Sequence, residues 1–175
     1  MEDEFASIRE HYEAGLELTD EEMDTVADVA VDFLKNILAL FGETSSSIDE
    51  YDGDDGELIL DVNGGDLAVL IGRHGKTLDA LQMVLSSLVS NKLKFHYPVS
   101  VDIEGYKTRR KNKIQQMARQ AADRARKQGG RVTLAPMNAF ERRLVHLALV
   151  SYDDVTTHSE GEEPNRRVVI TMVRN

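Results

Sequence analysis

The sequence predicts an α+β protein of two small domains, and three observations carry that prediction. Apolar residues recur at three- and four-residue spacing in some stretches and at two-residue spacing in others, so helices and short strands alternate along the 175 residues. Charge is unevenly divided. Residues 1–66 hold 21 acidic side chains against Arg9 and Lys35, a net of −19, whereas residues 67–175 hold 19 basic against 10 acidic ones, a net of +9. Finally, the texture changes near Gly105, where an alternating strand pattern gives way to a long basic helical one. The organisation that follows is an acidic stub over residues 1–20, a first domain over 21–104 and a second over 106–175.

Residues 1–20 are acidic and weakly periodic, which predicts a frayed or loosely helical lead-in. Thr19 and Glu22 have the spacing of a capping box, in which each side chain satisfies the other's backbone N–H. Met23, Val26, Ala27, Ala30, Phe33, Leu34, Ile37, Leu38 and Phe41 then line one helical face, with Gly42 at the stop. "TSSSIDEY" and "ELILDV" are strand-like runs joined by Asp52-Gly53-Asp54-Asp55-Gly56, a hairpin-turn composition. "DLAVLI" is too short for a full helix unless Asp66 caps it. Beyond Gly72-Arg73-His74-Gly75, the residues Leu78, Leu81, Leu85 and Leu88, with Val84 and Val89, predict a long helix to about Asn91. "YPVSVDI" alternates Val99, Val101 and Ile103 as a strand, with Pro98 at its tolerant start.

Residues 106–131 carry 10 Lys and Arg and one acid, Asp123. Ile114, Met117, Ala118, Ala121, Ala122 and Ala125 give this segment a thin apolar stripe, and Gly129-Gly130 end it, so a helix is expected over 106–128. A short strand "VTLAP" follows, then a helix from about Asn138 to Val150 with Leu144, Leu147 and Ala148 facing inward. A hairpin of "DVTTHS" with "RRVVITMV" completes the chain.

Composition excludes several functions. No 18-residue apolar window exists, and "MEDEFASIRE" is acidic, which argues against a membrane span and a secretory signal. There is no cysteine, hence no disulfide, thiol nucleophile or thiolate metal site; a reducing, cytoplasmic compartment is the simplest setting. The five histidines (His11, His74, His96, His146, His158) have no metal-ligand spacing, and no serine sits in a nucleophile elbow. The acidic turn fails as a calcium loop, because counting back from Gly56 or Gly53 puts Tyr51 or Ile48 at the first ligand position. A non-catalytic protein without cofactor or metal is expected.

"LIGRHGKTLDALQ" ends like a phosphate-binding loop in Gly75-Lys76-Thr77, but five residues before Gly75 stands Leu70 rather than the glycine a nucleotide-wrapping loop needs. The shorter Gly72-x-x-Gly75 unit suits a different anion. Two glycines around two polar residues let a sugar–phosphate backbone approach with no Cβ in the way, and the start of the following helix adds N–H groups and a positive dipole end. Arg73, His74 and Lys76 supply donors at the rim.

With this order of elements, "VLIGRHGKTLDALQMVLSSLV" resembles a type II KH domain (helix, two strands, two helices, strand), whose Gly-x-x-Gly loop clamps about four nucleotides of single-stranded nucleic acid. The resemblance implies binding by Gly72, Arg73, His74, Gly75 and Lys76. It also implies an apolar groove wall at Ile71 and, after it, at Leu70 and the 99–103 strand, residues that all read equally well as core.

In the second half, Arg142 and His146 stand four residues apart and stack on one helical face, a spacing that an ordinary polar face shares. The hairpin after them supplies Thr157, Ser159, Gly161, Arg166 and Arg167. "MNAFERRLVHLAL" followed by "SEGEEPNRRVVI" resembles the R-three-H domain, a binder of single-stranded nucleic acid. The resemblance implies that Arg142 holds a phosphate bidentately and that His146 donates to one or stacks on a base.

The two domains in this order, over about residues 22–175, resemble the bacterial Jag family, also called KhpB or SpoIIIJ-associated proteins. The resemblance implies a cytoplasmic single-stranded-RNA-binding protein, an RNA chaperone beside a smaller KhpA-like KH protein, linked to cell-envelope and cell-division control. Many members carry a separate N-terminal domain and a long linker, where this chain has the acidic stub. Two alternatives stay open: single-stranded DNA binding, and a protein-interaction adaptor that recruits a partner through the first helix or the stub. The charge division further suggests that the first 20 residues compete with RNA for the basic surface.

Overall fold

A computed structural model describes residues 5–53 and 56–173 of the chain. Asp54 and Asp55 of the acidic turn, and the first four residues of the stub, lie outside the described residues. The chain divides into two compact units, Met1–Tyr106 and Lys107–Asn175.

The first unit opens with α1 (Ala6–Glu13) and α2 (Asp20–Leu40). The lead-in is not loose. Phe5 and Ile8 are buried in the core, and the Tyr12 ring packs 5.1 Å from Phe95 and 5.5 Å from Tyr97. Their spacing at three and four residues is too short a run to stand out against the surrounding acids. The capping box forms as its spacing requires: the Thr19 hydroxyl accepts from the Glu22 N–H at 3.3 Å, and Glu22 accepts from the Thr19 N–H at 2.9 Å. That backbone donor, followed by the His11 side chain, holds the Glu22 carboxyl below its ordinary range.

Strands β1 (Ser47–Asp52) and β2 (Leu58–Asn63) pair antiparallel, and β3 (Val99–Ile103) runs parallel to β2, giving the sheet order β1-β2-β3. Leu58, Leu60 and Val62 alternate inward with Val99, Val101 and Ile103. Their core partners include Val26, Ala30 and Leu34 of α2 and Leu78, Leu85 and Val89 of α4 (Lys76–Leu93). Each valine, leucine or isoleucine among them contributes roughly 1.5–3 kcal/mol on burial. Between β2 and α4 lie a single helical turn, α3 (Ala68–Ile71), and a tight 3-10 turn, Arg73–Gly75. Asp66 does not cap α3, which starts without a side-chain cap after Leu67. Among the described elements this unit is therefore helix, helix, strand, strand, short helix, helix, strand.

The second unit comprises α5 (Tyr106–Gln128), whose first residue belongs with the first unit, β4 (Arg131–Thr133), α6 (Ala139–Ala148), β5 (Val155–Glu160) and β6 (Arg167–Met172). Its antiparallel sheet has the order β4-β6-β5. Small side chains on α5 (Ala118, Ala121, Ala122, Ala125) are fully buried in one core with Leu144, Val145 and Leu149 and with Val168 and Ile170. The α+β, two-domain architecture expected from the sequence is the architecture observed.

Candidate nucleic-acid interface

The bend between α3 and α4 is built by backbone that only glycine adopts cheaply. Gly72 has φ +67° and ψ −174°, and a Cβ there would stand 2.0 Å from Thr77 Oγ1. Gly75, at φ +80°, is the N-cap of α4, and His74 between them is also left-handed at φ +58°. The amides at the start of α4, expected from the sequence to face a ligand, are only partly available. The 3-10 turn uses two of them: Gly75 N–H donates to Gly72 O and Lys76 N–H to Arg73 O. The amides of Arg73 and His74 form no hydrogen bond among the described residues. The bare donors thus sit on the bend itself. Around them the side chains of Arg73, His74 and Lys76 are exposed and paired with no described residue.

Of the proposed apolar wall, Ile71 is half-buried against the core, consistent with a surface at the rim. Leu70, Val99, Val101 and Ile103 are buried and belong to the core.

In the second unit α6 brings Arg142 and His146 to the β5–β6 hairpin. Asn138 caps the helix through Glu141 N–H at 2.8 Å, which sets its rotation. Arg142 is 11% exposed, and its Nη1 donates to Met137 O at 2.9 Å and to Glu163 Oε1 at 2.6 Å. Met137 N–H in turn donates to Arg166 O at 3.1 Å, so the backbone of this one residue links the Arg142 side chain to the Arg166 main chain. The Nε of Arg166 is buried with no partner among the described residues. Arg167 Nε instead donates to Asn165 O at 3.3 Å.

His146 is more deeply engaged than a free phosphate donor would be. Its Nδ1 lies 2.6 Å from Thr157 Oγ1 and its Nε2 lies 3.2 Å from Ser159 Oγ. Burial, and then the charges of Arg142 and His158, push this imidazole below its ordinary value. A neutral ring donates a hydrogen bond through one nitrogen and accepts one from a hydroxyl through the other, so it orients the two β5 hydroxyls. The sequence named Arg142, His146, Thr157 and Ser159; it missed Glu163, which occupies the Arg142 guanidinium.

The basic helix sorts into two classes. Arg110 pairs with buried Glu141 at 2.7 Å; Arg126 forks onto Asp154, also meets Asp123, and lies 4.8 Å from the Tyr152 ring. These arginines hold the unit together. Lys111, Lys113, Arg119, Arg124 and Lys127 are exposed and pair with no described residue, as does Arg143 on α6. A concavity of about 390 Å³ near the start of α2 is lined by Asp20, Asp24, Glu50 and Asp52, and its charge repels phosphate. No helix among the described residues is long and apolar enough to cross a membrane.

Comparison with known proteins matches these units one by one. Residues 28–103 match the KH-domain model described for KhpA/KhpB, and residues 112–172 match the R-three-H domain model. The chain is 34% identical over 151 residues to the RNA-binding protein KhpB of Clostridium symbiosum, covering 86% of this chain and 68% of that one. It is 37% identical over 116 residues to the RNA-binding protein KhpB of Bacillus subtilis, covering 65% and 55%. To that of Streptococcus pneumoniae it is 28% identical over 170 residues, covering 97% of this chain and 51% of that one. The chain thus spans between about half and about two thirds of these relatives' length.

Proposed function

This chain belongs to the KhpB family, and from that premise we propose that it binds single-stranded RNA without catalysis, through two separate grips. The observation that carries the proposal is the bend at 72–75. Two amides, those of Arg73 and His74, form no hydrogen bond among the described residues; they sit between two positive-φ glycines, beside the exposed side chains of Arg73, His74 and Lys76, which pair with no described residue. Such a surface offers a phosphate main-chain hydrogen bonds. The second grip is the Arg142, His146 and Arg166 group with the β5 hydroxyls. Two moderate sites on one chain make the second contact intramolecular, so affinity exceeds that of either alone.

Contacts of this kind read the backbone rather than the bases, so sequence preference is loose and salt dependence steep. Titrating an unstructured oligoribonucleotide at several salt concentrations tests the reading. Log affinity falls against log salt with a slope of about −0.7 for each phosphate neutralised. A flat response rejects it. The same oligomer as DNA, and as duplex, separates single-stranded RNA from its alternatives.

Family membership supports three finer proposals: an RNA-chaperone role in the cytoplasm, a smaller KhpA-like KH protein as partner, and a link to envelope and division control. The KH model matched here is one described for KhpA and KhpB alike. Co-purification of the tagged chain with such a KH protein, and strand-annealing assays, test the first two.

A further inference from the structure

The register of α6 is unusual at its first turn. Phe140 is 66% exposed, whereas the next residue, Glu141, is 4% exposed. Glu141 is held inward by Arg110 and by the cap at Asn138. An aromatic ring facing water beside a buried carboxylate breaks the local rule that apolar groups go in and charges go out, and such breaks mark functional positions. The exposure continues along the helix. At 100° per residue, Arg143 and Leu147 fall within about 60° of Phe140, and Leu147 is 55% exposed rather than inward as its sequence position suggested. Val150, just past the helix, is 79% exposed. On the same geometry His146 lies about 120° and Arg142 about 160° around the helix from Phe140, with Arg143 between them and Phe140. The Phe140 ring contacts no other ring, and Arg143 has no ion pair, among the described residues.

We propose that Phe140 is a base-stacking platform, with Arg143 holding the phosphate beside the stacked base and Leu147 extending the apolar surface. The proposal rests on the single-stranded-RNA reading of the Arg142 and His146 grip and names what that grip lacks, a surface for the bases. An unpaired base presents a π-face to Phe140 while its backbone stays next to free cations, so apolar and charged parts of the ligand alternate as they do on the helix.

The test compares two probes on the full chain: a single-stranded oligoribonucleotide, and an abasic ribose-phosphate oligomer of the same length. Phe140→Ala weakens binding of the base-bearing strand by roughly 5- to 100-fold and leaves the abasic one unchanged. Phe140→Tyr retains wild-type affinity for both. In Phe140→Trp, stacking quenches the indole fluorescence on addition of the base-bearing strand only. Equal loss on both probes, or no loss on either, overturns the platform while leaving RNA binding intact. Loss of self-association in Phe140→Ala, with RNA affinity unchanged, overturns it in favour of a second copy. A wild-type chain that ignores both probes rejects the underlying RNA reading instead.

Discussion

Gly75 and Tyr106 are in direct contact: a Cβ on Gly75 would lie 2.9 Å from the tyrosine Cε1 and 3.2 Å from its hydroxyl. The first residue of α5 therefore supports the loop from beneath, although 31 residues separate the two in the sequence. Gly75→Ala meets two penalties, the left-handed φ of +80° and the ring. The backbone penalty alone is about 1 kcal/mol. Urea unfolding should give a total loss of about 1–3 kcal/mol. In a Tyr106→Ala background the loss should shrink toward the backbone share alone. An unchanged loss in that background means that the ring plays no part.

The loop side chains can be inverted in charge without touching the core. Arg73→Asp with His74→Asp should reduce affinity for single-stranded RNA at least tenfold at low salt, since two donors become two repelling carboxylates beside the bare amides. The melting temperature should stay within a degree or two, because both side chains are exposed and unpaired among the described residues. Wild-type affinity in this variant would remove the loop from the binding surface.

The docking of α1 changes how competition by the acidic lead-in must be examined. Deleting the first 20 residues removes Phe5 and Ile8 from the core, and Ile8→Ala alone should cost about 2–4 kcal/mol in denaturant unfolding. Replacing exposed Glu10, Glu13 and Glu17 by Gln leaves that packing in place. If the lead-in competes with RNA, the triple replacement tightens binding at low salt and the gain disappears at high salt. Equal affinity at low salt discards competition.

His146 makes the second unit sensitive to acid. Burial, then Arg142 and His158, lower its pKa in the folded chain. The unfolded chain, with an ordinary imidazole near 6.5, therefore takes up the proton first as pH falls. Stability is fully present above that value and is lost on acidification through it, by no more than about 1.4 kcal/mol per pH unit for one proton. Thermal melts at neutral and mildly acidic pH should separate in the wild type, and separate less in His146→Asn. An identical pH dependence in the variant assigns the effect to other groups.

Much of the molecule was legible before any fold was known. Capping at Thr19 and Glu22, the helical stripes of α2, α4 and α5, the alternation in β2 and β3, and the Gly72-x-x-Gly75 bend are local patterns, each contained within a few turns or residues. The pairing of Arg142 with His146 is equally local, since four residues make one helical turn. The lead-in misled because a carboxylate-rich segment with two well-spaced apolar residues looks solvated until something distant covers it.

Periodicity, turn chemistry and charge division were enough to specify two α+β domains, the order of their elements from α2 onward, and a glycine-framed bend ringed by cations. Those features depend on neighbours along the chain. Which amides on the bend stay unbonded, which arginines of α5 are spent on Glu141 and Asp154, and why Phe140 faces water while Glu141 does not, were decided only by packing. Outcomes of this kind depend on partners that sequence distance conceals: Arg110 for Glu141, Asp154 for Arg126, and Glu163 for Arg142. A hydrogen bond or an ion pair is a matter of a few ångströms in space, and only the folded core brings such groups that close.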